Sequence, residues 1–299
     1  MIDYILVLLS DLLFASQFLI TKIYSKNNGK SLTNSLAWVI GVNLIMLIYL
    51  FALNGFSLQF SWFSFGMSIL MAFVTLASGY CSIAVLQYAN LSLYSLFTML
   101  GSVVLSSLFG IAFLEEGVTV SKVLCILLVV VALSLGVEKS VPDSDDSKDT
   151  KKRKLIAVGL YLACFTLNGL SGIISKIHQI NTAINTSSEN FMVLYGIITV
   201  VVATIWLLLR EKKNAFALFK NGKNLACMGG YAVVHGIAQL LSLISLIALP
   251  VSIQQPMVAG GVLLFTFLIS LIIKDKQNKK SILAFAFACM SMLAILLPF

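Results

Sequence analysis

Residues 4–24 read YILVLLSDLLFASQFLITKIY, an apolar run broken by one acid, Asp11, and by Lys22 near its end. A helix needs about 20 predominantly apolar residues to cross a hydrocarbon core. Nine further runs of this kind fill most of the chain, at 33–54, 61–88, 91–114, 119–137, 155–175, 190–209, 225–249, 250–273 and 281–298. Hydrophobic residues make up 59% and charged residues 11%, with a mean hydropathy of +1.00, which excludes a soluble globular domain. In lipid a backbone must satisfy its own hydrogen bonds, so the runs are read as helices. Barrel strands would alternate polar and apolar residues, and these runs are apolar on every face.

The opening run has an echo. Phe18-Leu19-Ile20-Thr21-Lys22-Ile23 matches Gly172-Ile173-Ile174-Ser175-Lys176-Ile177 at an offset of 154 residues. Later, Ala89 to Phe113 lies over Ala248 to Ile273, with Met99 near Met257, Gly101 over Gly260 and Val103 over Val262, at an offset of 159. Five spans per half is an odd number, so the second half enters the membrane from the opposite side. The expectation is an all-α integral membrane protein of ten transmembrane helices in two inverted five-helix repeats, a common build of secondary transporters. The expected division is 1–138 for the first repeat, 139–154 for a charged cytoplasmic linker and 155–299 for the second repeat. The linker reading rests on its mixture of acids and bases with Pro142.

Lys and Arg set orientation better than net charge does. Nearly all of the 20 fall on one side of this span assignment, in stretches around Lys22–Lys30, Lys139–Lys154, Arg210–Lys223 and Lys274–Lys280, with only Lys122 and Lys176 opposite. That side is expected to be cytoplasmic, with both termini outside, in a bacterial-type plasma (inner) membrane. The net charge of +8 is then a topology signal and calls for no nucleic-acid partner. No charged leader and small-residue cleavage site precede the first run, so no cleavable signal peptide is expected.

The chemistry of enzymes is sparse. Gly29-Lys30-Ser31 has Tyr24 where a phosphate-binding loop needs its first glycine, and no HExxH or GxSxG occurs. With two histidines, His178 and His235, a multi-histidine metal site is not expected. The five cysteines, Cys81, Cys125, Cys164, Cys227 and Cys289, are scattered through the apolar runs and read as inert buried thiols. No enzyme, no catalytic residue, no metal and no cofactor are expected.

An ionisable residue inside a span is a functional candidate by default. Asp11 sits about eight residues from the outer end of its helix, roughly 12 Å down. It lines a cavity or is capped by solvent near the interface. His235 lies near the middle of the eighth run and shares a helical face with Gln239 and Ser242. It is either a neutral histidine bonded to a neighbouring helix or a substrate or proton site, since histidine titrates near physiological pH. Tyr80 and Gln87 share a face of the third helix, Tyr94 and Thr98 of the fourth, Asn168 and Ser171 of the sixth. Gln254 and Gln255 precede Pro256 in the ninth. Each alone reads as interhelical glue. Together they concentrate in the first, third, fourth, sixth, eighth and ninth runs, which suggests a wet centre with aromatic walls from residues such as Phe97 and Trp38. Asp11, Tyr80, Gln87, Tyr94, Thr98, Asn168, Ser171, His235, Gln239, Gln254 and Gln255 are the substrate-binding candidates. Ser102, Ser106 and Gly110 form a small-residue stripe that suits close packing of the fourth helix on the ninth.

The segment Gly79-Tyr80-Cys81-Ser82-Ile83-Ala84-Val85-Leu86-Gln87-Tyr88-Ala89, continuing to Leu114-Glu115-Glu116-Gly117-Val118-Thr119, resembles the drug/metabolite transporter superfamily in its EamA-type branch. It is similar to that family's third and fourth helices and its Gly-Glu-x-Leu-Thr turn, with Glu115 for the usual glycine and Val118 for the usual leucine. The resemblance implies a central cavity lined by the first, third, fourth, sixth, eighth and ninth helices. It also implies cytoplasmic termini, against the charge count. The expected function is secondary transport of a small amphipathic metabolite, amino acid or drug-like solute by alternating access. The partners are that solute, the lipid bilayer and a coupling proton, with His235 as carrier. The rival is a lipid-handling protein of scramblase type that moves no soluble solute.

Overall fold

In a computed structural model of the chain, residues 2–88, 91–113, 119–137, 148–211, 217–248, 251–274 and 279–296 are described. Ten α-helices follow one another: α1 Ile2–Asn28, α2 Leu32–Leu53, α3 Trp62–Val85, α4 Leu91–Phe113, α5 Val120–Val137, α6 Lys148–Ile180, α7 Ser188–Arg210, α8 Gly222–Ala248, α9 Val251–Ile272 and α10 Lys279–Leu296. A short 3-10 turn, Ala217–Lys220, precedes α8. Among the described residues there is no strand.

Each apolar run becomes one helix. Seven of them, α1 to α4 and α6 to α8, contain stretches long and apolar enough to cross a bilayer. The qualifying apolar stretches of the other three are shorter, Val123–Ala132, Met257–Ile272 and Ile282–Ser291 among the described residues. The chain thus has the helices of a multi-pass membrane protein. Large side chains point outward along them, with Phe73 at 70% and Leu209 at 74% exposure. Such faces suit contact with lipid tails.

Several element boundaries differ from the sequence expectation, with α1 and α6 running on to Asn28 and Ile180. α6 starts at Lys148, so residues 148–154 of the expected linker extend a helix, while 138–147 lie outside the described residues. The composition of 148–154 is polar, but Asp149 stands four residues before Arg153, a spacing that supports a helix, and no proline lies between Pro142 and Pro250. α3 stops at Val85, where residues 86–88 turn towards α4. The starts of α2, α3 and α7 are capped by Ser31, Ser61 and Ser187, whose hydroxyls accept from the backbone N–H groups of Asn34, Ser64 and Asn190. Each cap satisfies a donor that a helix start leaves open.

α1 packs on α8 and α9, α6 packs on α3 and α4, and α2 and α7 pack on each other. α2 also meets α8, α7 meets α3, α4 meets α9, and α5 pairs with α10. α4 lies against α9 as its small-residue stripe leads one to expect, and it packs still more extensively on α6. The largest buried cluster draws Phe97, Leu100, Tyr161, Val262 and Leu263 from α4, α6 and α9. Lipid tails are as apolar as these side chains, so close fit rather than transfer from water holds such a cluster together.

Candidate functional site

Two helix crossings set the geometry of the middle of the bundle. At the first, Gly101 of α4 lies so close to α6 that a Cβ there would strike the Phe165 backbone carbonyl. Gly169 one turn on faces the Gly101 carbonyl in the same way. At the second, Gly261 of α9 lies against the carboxyl of Asp11 on α1. Phe165 stands 154 residues after Asp11, the offset of the sequence echo, and Gly261 adjoins the Gly260 that the echo lays over Gly101. One crossing thus sets a backbone carbonyl against a glycine, and the other sets a carboxyl against a glycine.

Asp11 is 1% exposed. The Ser10 hydroxyl is 3.5 Å from its Oδ1, and its Oδ2 has no hydrogen-bond partner among the described residues. Of its two sequence readings, the solvent-capped one is not what the fold presents: burial is against α9.

His235 of α8 pairs through Nδ1 with Oε1 of Gln17 on α1 at 2.6 Å. Gln17, 6% exposed, was missed at the sequence level because it lies beside, not on, the face that carries Asp11, Phe14, Phe18 and Lys22. The His235 ring stacks on Tyr231 at 5.4 Å and meets Phe14 edge-on at 5.9 Å. Tyr231 meets Trp38 at 5.1 Å, and Trp38 lies 4.4 Å from Tyr24. These five rings from α1, α2 and α8 form one connected series.

On the other side of α1, the Tyr94 hydroxyl of α4 donates to Ser82 Oγ of α3 at 2.7 Å. Asn168 Nδ2 of α6 donates to the Thr98 carbonyl of α4 at 2.6 Å. Thr98 and Ser171 turn their hydroxyls back on their own helices, to Tyr94 and Asn168 carbonyls. Gln87 lies just past the end of α3, where its amide Nε2 donates to the carbonyl and the hydroxyl oxygen of Ser25 on α1, both at 2.6 Å. Tyr80 is 38% exposed, and Gln239 is half-buried one turn beyond His235. Gln254 and Gln255 fall in α9, with side chains outside those described. Phe97 is core rather than wall, wholly buried and stacked on Tyr161 at 4.6 Å. The structure thus joins Tyr94, Thr98 and Asn168 across α3, α4 and α6, and His235 to α1. Tyr80 and Gln87 stand apart from both groups. All five cysteines are free thiols within helices.

Each end of the bundle carries a polar latch between a first-half and a second-half helix. At the end bearing the α1–α2 and α7–α8 connections, Asn28 of α1 and Asn224 of α8 exchange amide bonds of 2.9 and 3.0 Å. At the opposite end, Ser64 of α3 meets His178 Nε2 of α6 at 2.9 Å and accepts from the Thr186 N–H at 2.9 Å and hydroxyl at 3.1 Å. The His178 ring stacks on Phe191 of α7 at 4.1 Å, and Asn185 donates to the His178 carbonyl at 2.7 Å. Sequence reading treated His178 only as a would-be metal ligand. Ser64 and Thr186 are ordinary small polar residues near span ends, and only their meeting in space marks them.

No protein-family model matches this chain, and no curated protein matches it. Solved structures do. One of them, given only as the crystal structure of a protein, superposes with a TM-score of 0.55 over 98% of this chain and 94% of that one, at 12% identity. At that identity the likeness shows the fold alone.

Proposed function

We propose that this chain is a secondary transporter of a small amphipathic solute, working by alternating access, and that it belongs with the EamA-type drug/metabolite transporters. The observation that carries this reading is the pattern of helix packing. Among the described residues, the nine most extensive helix interfaces map onto one another when α1–α5 are exchanged with α6–α10. α1/α8 becomes α6/α3, α1/α9 becomes α6/α4, α2/α8 becomes α7/α3, and α2/α7, α4/α9 and α5/α10 map to themselves. With five helices per half, such an exchange supports reading the halves, 1–138 and 155–299, as inverted repeats within a membrane. Inverted repeats lend themselves to two states related by a pseudo-two-fold axis, each opening one side. The two latches sit where such states need them, one at each end and both between halves.

The solute class follows from the polar groups at the centre. Apart from the Asp11 carboxyl and the His235 imidazole, they are amides, phenols and hydroxyls beside aromatic rings, and α9 carries no charged side chain at all. Such a lining suits a neutral or singly charged amphipathic solute and offers no paired bases for a sugar phosphate. The test is counterflow in proteoliposomes, after a thermal-shift screen over a metabolite library has selected stabilising solutes. Saturable counterflow is expected. Movement of lipid reporters without solute flux would replace the transporter by a scramblase, and stabilisation chiefly by multivalent anions would overturn the solute class.

We place the Lys-rich loops in the cytoplasm and the termini outside. Membrane-impermeant thiol labelling of intact cells is expected to reach a cysteine added after Phe299 and to miss one at Asp146. The opposite labelling would reverse the orientation.

A further inference from the structure

We propose that Asp11 is the proton-binding site of this protein, and that its proton controls the α1–α9 crossing. The proposal rests on the transporter reading above and adds to it the coupling ion and the residue that holds it. Three observations lead here. Asp11 is 1% exposed and one carboxyl oxygen has no hydrogen-bond partner among the described residues. That carboxyl bears directly on Gly261 of α9. At the α4–α6 crossing the group against Gly101 is the Phe165 backbone carbonyl, which does not titrate, so Asp11 is the titratable group at these two glycine contacts.

Among the described residues, the groups around Asp11 leave it without a counter-ion. α9 contributes no ionisable side chain. α4 offers Tyr94, and α3 offers Tyr80 and Cys81. α8 offers His235, Tyr231, Cys227 and Lys223. The nearest by level is His235, which meets α1 at Gln17, about 9 Å along the axis from Asp11. On α1 itself the charged neighbours are Asp3, Lys22 and Lys26, each two turns or more away. An ionised carboxylate with an orphaned oxygen in such a site is costly. The packing described here is therefore that of the neutral acid. Loss of the proton leaves a carboxylate that needs water, and water reaches it only when α1 and α9 part. By linkage, whatever parts the helices also releases the proton. His235 is the weaker carrier, since its ring is held by Gln17 and stacked on Tyr231.

The experiment uses the full chain in lipid nanodiscs and the proton as the only ligand. Infrared difference spectra are recorded between about pH 5 and about pH 9, spanning the range where perturbed carboxyls titrate. A carbonyl band of protonated carboxylic acid should disappear as pH rises, be absent throughout in Asp11→Asn and be shifted in Asp11→Glu. Asp11→Glu secures the assignment if the amide variant fails to assemble. Spin labels at Leu12 and Leu264, both lipid-facing and near the crossing, should move apart over the same pH interval in the wild type and stay put in Asp11→Asn or, should that variant not assemble, move at a different pH in Asp11→Glu. A band that does not titrate, a band unaffected by either variant, or labels that ignore pH overturns the proposal. Titration with no solute flux in any counterflow assay would sink the transporter reading and leave the proton site standing. Flux without titration would do the reverse.

Discussion

Gly101→Ala is expected to be the most damaging single methyl addition in this bundle. The new Cβ would meet the Phe165 carbonyl and lie 2.9 Å from its Cα, and these are backbone atoms that no rotamer change can move. Alanine gains up to about 1 kcal/mol in helix propensity over glycine. Overpacking against an immovable neighbour costs about 3 kcal/mol at the upper end of its usual range. The loss should win and appear as a clear fall in thermal unfolding temperature and in yield from the membrane. Gly261→Ala is the control. Its methyl meets the Asp11 side chain, which can rotate away, so its loss should be well below that of Gly101→Ala. Equal losses would refute the distinction between the two crossings.

Ser64→Ala should release the latch at the α3–α6 end. The hydroxyl is wholly buried and serves His178 Nε2, the Thr186 N–H and the Thr186 hydroxyl at once. Removing one partner from a buried polar group costs about 1–3 kcal/mol, because the remaining groups stay dry and unpaired. The cost falls on the closed state of that end and is smaller once water can enter. A bias of about 1.4 kcal/mol changes the open population about tenfold. Alkylation of a cysteine at Asn185 should accelerate by about that factor. Asn224→Ala, which removes the latch at the other end, should leave that rate unchanged. A similar acceleration in both variants would mean that the two ends loosen together and do not alternate.

The helices were legible because lipid imposes one requirement on every span, length with apolarity, and a chain either meets it or does not. Residues 148–154 escaped because composition separates polar from apolar segments and does not separate a charged helix from a charged coil. The echo at residues 18–23 and 172–177 was visible, and its offset of 154 residues also separates Asp11 from Phe165. Its consequence was hidden: a carboxyl side chain and a backbone carbonyl do similar steric work, and sequence records only the first. Asp11 and His235 stood out because charge in a span is rare. Gln17, Ser64 and Thr186 did not, since neutral polar residues are common in membrane helices. Their roles depend on partners 218, 114 and 122 residues distant in the chain.

The series of rings from Tyr24 to Phe14 gives the protein an optical property. Of its three tryptophans, Trp62 is 80% and Trp206 46% exposed, while Trp38 is 4% exposed and held between Tyr24 and Tyr231. Indole emission is sensitive to polarity and to ring contacts at this range. Replacing Trp62 and Trp206 by phenylalanine, both on the surface, leaves a single tryptophan, between α1 and α8. Its colour and lifetime then follow the wetting and separation of those helices in real time, without any attached dye.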